Sequence, residues 1–232
     1  MPRFFAEMID YPAACIEDTA SVRHITGPLR RREGDELAIR VGLQGYRARI
    51  SSVRAGKVML EIIAEETLRD RSSRSVHLAL CLFDVKELED SLRSVTELGV
   101  ADIHPVISAR SSIRSITGAR FQRWEAIVLE AVKQCERRTI PVLHRPEALP
   151  ELVRGEARQW GRRLFAHRDA AQALREVQAS DAGIVIGPEG GFTEEEVIMM
   201  SSDGFVAVSL GGTTLRAVTA AITAVGLLGC ES

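Results

Sequence analysis

The chain has 232 residues, 45% of them hydrophobic and 27% charged, a balance that supports a buried core and excludes intrinsic disorder. Thirty basic residues against 32 acidic ones give a net charge of -2, so binding to polyanions through a uniformly basic surface is excluded and only a local patch remains for that work. Cysteines 15, 81, 135 and 230 show no paired spacing, which argues against a zinc cluster or a disulfide framework and fits a reducing, cytosolic setting.

Up to about residue 70 the apolar residues come in short alternating runs. Glu36 to Val41 and Lys57 to Ile63 read as half-buried strands, Gly34-Asp35, Gly42 to Gly45 and Ala55-Gly56 as turns, and Thr19 to Leu29 as one short helix. The segment predicts a small β-rich domain. Between Arg23 and Lys57 nine basic residues face three acidic ones. Such a patch neutralises phosphates, which points to nucleic acid; an ordinary solvated arginine face is the other reading of the same charges.

Glu65 to Ser75 is polar and reads as a linker, giving domains at 1–72 and 73–232. Beyond it the rhythm changes. His77 to Leu82 reads as a strand, Val85 to Leu98 as an amphipathic helix and Ile103 to Ile107 as a second strand, which is the βαβ pattern of a parallel sheet. A helix from about Phe121 to Arg137, a strand near Leu164, an Ala-rich helix near Asp169 to Val177, a buried strand Gly183 to Ile186, a strand from Val206 to Leu210 and a last helix from near Thr214 complete an open α/β domain. The longest small and apolar stretch, Ala217 to Gly229, is too short to span a bilayer, and no signal peptide is evident. A cytoplasmic protein with no membrane contact is expected.

Common phosphate-loop, dinucleotide, zinc-protease and nucleophile-elbow motifs are absent. The five histidines, His24, His77, His104, His144 and His167, show no ligand spacing, so no metal is expected. The informative segment is Ile186-Gly187-Pro188-Glu189-Gly190-Gly191-Phe192-Thr193, a glycine-rich turn from a buried strand into a helix that Thr193 caps with Glu196. Glycines there let a ligand approach the main chain, which suits an adenine or a ribose; a plain strand-to-helix turn is the alternative. Leu210-Gly211-Gly212-Thr213-Thr214-Leu215-Arg216 repeats the arrangement at a second strand end.

Along nearly its whole length the chain resembles the RsmE-type 16S ribosomal RNA uridine-N3 methyltransferases of the SPOUT class. The resemblance runs from Pro2-Arg3-Phe4-Phe5 through His24 before Leu29-Arg30 and Gly34-Asp35, Thr96-Glu97-Leu98-Gly99-Val100, Arg123-Trp124, Glu130-Ala131, Gln134, Arg137 and Pro141. It ends in the Gly187 and Leu210 loops, whose combination is highly specific. It implies an α/β SPOUT trefoil-knotted domain, a parallel sheet with helices on both faces, preceded by a PUA-like RNA-binding β-barrel. It also implies a homodimer, S-adenosyl-L-methionine as cofactor, and 16S ribosomal RNA in the small subunit as partner.

Carried onto this chain, the resemblance places the cofactor at Leu164, Phe165, Ala166, His167, Ile186, Gly187, Pro188, Gly190, Gly191, Leu210, Gly211, Thr214, Leu215 and Thr219. RNA contacts are expected from Arg23, His24, Arg30, Arg31 and Arg32. Arg216 and Arg137 are expected to stabilise a developing imidate or to bind a flanking phosphate, Glu189 to act as base, and Gln134 to read the uracil edge. Where the family usually reads Leu-Arg-Thr-Glu-Thr-Ala, this chain has Leu215-Arg216-Ala217-Val218-Thr219-Ala220. That change keeps open a non-catalytic RNA-binding or ribosome-assembly protein of the same fold; a methyltransferase of this fold for another RNA is a second alternative.

Overall fold

The computed structural model describes residues 3–42, 44–54, 56–66, 74–135, 137 and 139–229. It divides into two compact units, Met1–Asp70 and Arg71–Ser232. Most of the expected linker, and Cys230, lie outside the described residues.

The first unit is a six-stranded sheet in the order β1-β4-β5-β6-β3-β2. It uses β1 (Arg3–Phe5), β2 (Glu7–Asp10), β3 (Ala13–Ile16), β4 (Glu36–Val41), β5 (Gln44–Arg54) and β6 (Lys57–Glu66), with one helix, α1 (Thr19–Thr26). β1 joins β4 in parallel; the other pairs are antiparallel. Alternation in β6 sends Val58, Leu60 and Ile62 inward, where they meet Leu37 and Ile39 of β4 and Val22 and Ile25 of α1. Asp18 caps α1 by accepting from the Ser21 amide at 2.9 Å. Gly34, Gly42 and Gly56 take φ of 90°, 58° and 77°, so the expected turns fall where only glycine is unstrained.

The second unit is built on a parallel sheet in the order β10-β8-β7-β12-β11-β13, with β9 pairing β8. Its elements are β7 (Ser75–Cys81), α2 (Val85–Glu97), β8 (Asp102–Ile107), α3 (Gly118–Gln134), β9 (Val142–Leu143), β10 (Glu147–Ala148), α4 (Leu149–Arg154), β11 (Arg162–Ala166), β12 (Asp181–Ile186), α5 (Glu194–Ser202), β13 (Val206–Val208) and α6 (Ala217–Gly229). Central strands are buried on both faces, which explains their continuous apolar runs. Leu78, Leu80, Ile103, Ile184 and Ile186 pack against α2, α3 and α6. Ala79, Cys81, Val106, Phe165 and Val185 face α4, α5, Trp160 and Phe205.

The helix expected near Asp169 to Val177 is corrected: only a 3-10 turn, Leu174–Glu176, forms there. Ala173 bridges Ser209 in parallel, the Ser209 amide donates to Gln172 O at 2.8 Å, and the Leu174 amide donates to Ser209 O at 2.9 Å. Pairing with the chain after β13 takes the hydrogen bonds that a helix would have used. The helix expected over Phe121 to Arg137 instead spans α3, from the Thr117 cap to Gln134, and leaves Arg137 beyond its end.

Candidate active site

Loops leaving the carboxyl ends of β11, β12 and β13 enclose a cleft of about 370 Å3, within the size range of small-ligand sites. Ala166 to Asp169 follow β11, Ile186 to Phe192 follow β12, Leu210, Gly211 and Thr213 to Leu215 follow β13, and α6 adds Ala217 and Ala220. This is the edge at which ligands of open α/β sheets bind.

The β12 loop is fixed at both ends. Its turn closes with the Gly191 amide donating to Pro188 O at 2.8 Å, Gly191 having a φ of 68°. Glu196 Oε2 accepts from the Thr193 amide at 2.9 Å while Thr193 Oγ1 accepts from the Glu196 amide at 3.3 Å, a reciprocal cap for α5. The other Glu196 oxygen accepts from the Ala109 amide at 2.7 Å, and Arg110 Nη1 donates to Gly190 O at 2.6 Å. The β12 loop is therefore clamped to the loop that follows β8.

Bare glycine matters here: a Cβ at Gly187 would stand 3.2 Å from the Phe192 ring, and one at Gly190 would stand 3.3 Å from Arg110. Gly211 and Gly212 meet nothing within 4 Å. Gly187, Gly190, Gly191 and Gly211 in the lining leave main-chain peptide groups that a flat heterocycle or a ribose can reach.

Of the residues expected at a cofactor site, Ala166, His167, Ile186, Gly187, Pro188, Gly190, Gly191, Leu210, Gly211, Thr214 and Leu215 line this cleft. Leu164 and Phe165 lie deeper in β11, buried in the sheet, and Thr219 is exposed on α6 outside the lining. Glu189 lines the cleft; Arg216 stands between its Leu215 and Ala217, with the Arg216 side chain 79% exposed and Nη1 3.7 Å from Glu87 Oε1. Gln134 and Arg137 are not brought to it. Gln134 is exposed at the end of α3, and Arg137 Nη1 donates to Thr96 O at 2.9 Å.

Residues missed from the sequence are Arg168, Asp169, Phe192, Ala217 and Ala220 in the lining, and Arg110 behind it. Phe192 was visible as the apolar end of the glycine segment. Arg110 carries no local signal, because only the fold brings the loop after β8 to the loop after β12.

In the first unit the nine basic residues separate into classes. Arg40 is buried, with its guanidinium 5.2 Å from the Phe5 ring. Arg47 and Arg49 pair with Glu36 at 3.7 and 3.3 Å, and Lys57 pairs with Glu17 at 2.5 Å. Arg23, Arg30, Arg31, Arg32 and Arg54 make no ion pair among the described residues. The loop holding three of them is ordered by its main chain: the Arg31 amide donates to Ile25 O at 2.9 Å and the Arg32 amide to Asp35 Oδ2 at 2.9 Å. His24, on the same segment, is exposed and meets Phe4 edge-on at 5.7 Å.

Three of the five histidines, dispersed in sequence, converge near the amino ends of β7 and β8. His77 Nδ1 lies 2.6 Å from Asp102 Oδ2, and His104 stacks on His144 at 3.9 Å. Burial pushes His77 down, but the Asp102 hydrogen bond and the charges of Asp102, Asp181 and Glu156 together bring it above the usual imidazole range. Burial, aided by His144, pushes His104 down to about 3, so its ring is neutral at pH 7.

Comparison with known proteins agrees with this architecture. Residues 70–229 match the family model described as an RNA methyltransferase domain. The chain is 30% identical to ribosomal RNA small subunit methyltransferase E of Rickettsia conorii, over 90% of this chain and 88% of that protein. It is 32% identical to the Mycobacterium bovis protein of the same name, over 95% of this chain and 87% of that one. A Neisseria gonorrhoeae ribosomal RNA small subunit methyltransferase E bound to S-adenosyl methionine superposes with a TM-score of 0.80 at 28% identity, covering 97% of this chain and 95% of that one. The α/β fold with its parallel sheet, the glycine-walled cleft and these matches identify the chain as a member of the RNA methyltransferase family, of the small-subunit methyltransferase E type.

Proposed function

We propose that the protein transfers a methyl group from S-adenosyl-L-methionine to N3 of a uridine in 16S ribosomal RNA, with the assembled small subunit as substrate. The observation that carries this reading is the cleft of about 370 Å3 lined by Gly187 to Gly191, Leu210, Gly211 and Thr213 to Leu215. Its size and glycines fit the adenosine part of that cofactor, and the Neisseria gonorrhoeae relative of 28% identity binds it.

Main-chain groups after β11, β12 and β13 hold the cofactor, which supplies an activated methyl on a sulfonium. The chain's own task is alignment and charge control. Arg216, exposed at the cleft margin, stabilises the negative charge that develops on the uracil as N3 loses its proton. Glu189 is the carboxylate positioned to accept that proton, directly or through water. Gln134 and Arg137 lie off the cleft and take no part in the chemistry there.

In this reading the second unit is a SPOUT domain with a trefoil-knotted carboxyl segment. The first unit is a PUA-like barrel that presents Arg23, His24, Arg30, Arg31 and Arg32 to phosphates. The assembly is a cytoplasmic homodimer. In support, five arginines of the first unit lack ion pairs among the described residues, and no helix among those residues is long and apolar enough to cross a membrane. Leu227 on α6 and Leu98 after α2 keep 40% and 42% exposure, apolar area that a second copy would cover.

Calorimetric titration with S-adenosylmethionine tests the site. A Gly187→Val variant drives branched carbons toward Phe192 and the cleft, and is expected to weaken binding at least about tenfold, or roughly 1.4 kcal/mol. Unchanged affinity in that variant would place the cofactor elsewhere.

A further inference from the structure

We propose a divalent transition-metal site of the zinc class, formed by His104, His144 and Glu156 on the α4 side of the sheet and separate from the methyl-transfer cleft. One donor atom from each lies within 4.8 Å of the other two. His144 Nδ1 is 3.3 Å from Glu156 Oε2, and His104 Nδ1 is 4.0 Å from the same oxygen. A tetrahedral zinc ion with bonds of about 2.0–2.1 Å holds its ligand atoms roughly 3.3 Å apart. The His144–Glu156 pair already matches that spacing; a turn of the exposed Glu156 side chain closes the second pair, and the third needs the partly exposed His144 ring to rotate off its stack on His104 so that both imidazole planes contain the ion.

The second, independent observation is the state of His104. Its side chain is 1% exposed, and Nδ1 has no hydrogen-bond partner among the described residues although it points toward two carboxylates. A buried polar atom without a partner is costly, and a metal bond would satisfy it. Glu147 Oε1, also 4.0 Å from His104 Nδ1, is within reach of a fourth coordination position.

The surroundings have the composition of a metal's outer shell. Asp102 Oδ1 faces His144 Nε2 at 3.5 Å while its other oxygen binds His77, a carboxylate-to-imidazole arrangement that fixes ligand orientation. Trp160 packs edge-on to His104 at 5.6 Å and shields that side. Glu156, 47% exposed, leaves a way in from solvent. Two imidazoles and a carboxylate select zinc or a neighbouring transition metal over magnesium or calcium. The ion would tie β8, the chain after β9 and the 3-10 helix Glu156–Gln159 together, a structural clamp on the part of the sheet away from the cleft.

The test uses the full chain, stripped with a chelator and titrated with zinc against a chromophoric competitor, with cobalt as a spectroscopic probe of geometry. The wild type is expected to bind one equivalent with a tetrahedral cobalt spectrum. Glu156→Gln and His144→Ala are each expected to weaken zinc binding by about tenfold or more. Glu156 is exposed, so its variant keeps the fold, which circular dichroism and an unchanged S-adenosylmethionine titration would verify. No zinc binding by the wild type, or equal binding by both variants, would overturn the proposal.

Discussion

Gly183 lies within β12, with the Trp160 ring packed where a side chain would begin. A Cβ there would fall 1.9 Å from the Trp160 ring, and Trp160 is itself 5% exposed and boxed in by Phe205 and His77. A Gly183→Ala variant is therefore expected to lose about 3 kcal/mol by overpacking, read as a lower urea midpoint at unchanged slope. Cys81 shows another effect of the same interior: burial pushes its thiol up to about 12, so it stays protonated at pH 8. Alkylation of the native protein, mapped by mass spectrometry, should label the half-exposed Cys135 and spare Cys81 until the chain unfolds. Legibility at this scale was uneven. The glycines of the cleft announced themselves because a tight turn and a bare wall need them, whereas the histidine cluster was hidden: His77, His104 and His144 come from separate segments and meet only through sheet register.

Elements were the most readable level where periodicity had one cause. The α2 stripe of Leu88, Leu92 and Val95 is buried as its spacing demands, and the run at β12 is buried on both faces. Reading failed at Asp169 to Val177, where alanines favour a helix in isolation but pairing with Ser209 won. The reciprocal cap of α5 has a consequence for the cleft, because Glu196 also holds the Ala109 amide. A Glu196→Ala variant removes both bonds and is expected to cost about 1–2 kcal/mol of stability. It should also weaken S-adenosylmethionine binding, as the glycine loop loses one of its clamps; equal affinity in a calorimetric titration would separate the clamp from the site.

At the scale of the whole molecule, the two units divide the labour that the proposed function requires: a cleft for the cofactor in one, and in the other, for the RNA, arginines that make no ion pair among the described residues. Phosphate contacts release counterions, so replacing Arg30, Arg31 and Arg32 together with alanine should lower the slope of log affinity against log salt by about 2–3. S-adenosylmethionine binding should be untouched, because those residues lie in the first unit and the cleft in the second. The two-part plan and the parallel sheet were legible in the change of apolar rhythm near residue 70. The positions of Arg137 and Gln134 off the cleft were not, since sequence gives no measure of where a helix end falls. The Ala217-Val218 departure falls at the cleft, where Ala217 is part of the lining. The central claim is tested most directly by incubating the protein with methyl-labelled S-adenosylmethionine and small ribosomal subunits lacking N3-methyluridine, then identifying the labelled nucleoside by mass spectrometry. Labelled N3-methyluridine in the 16S RNA is the predicted result; unlabelled RNA, in the presence of cofactor binding by the same preparation, would contradict it.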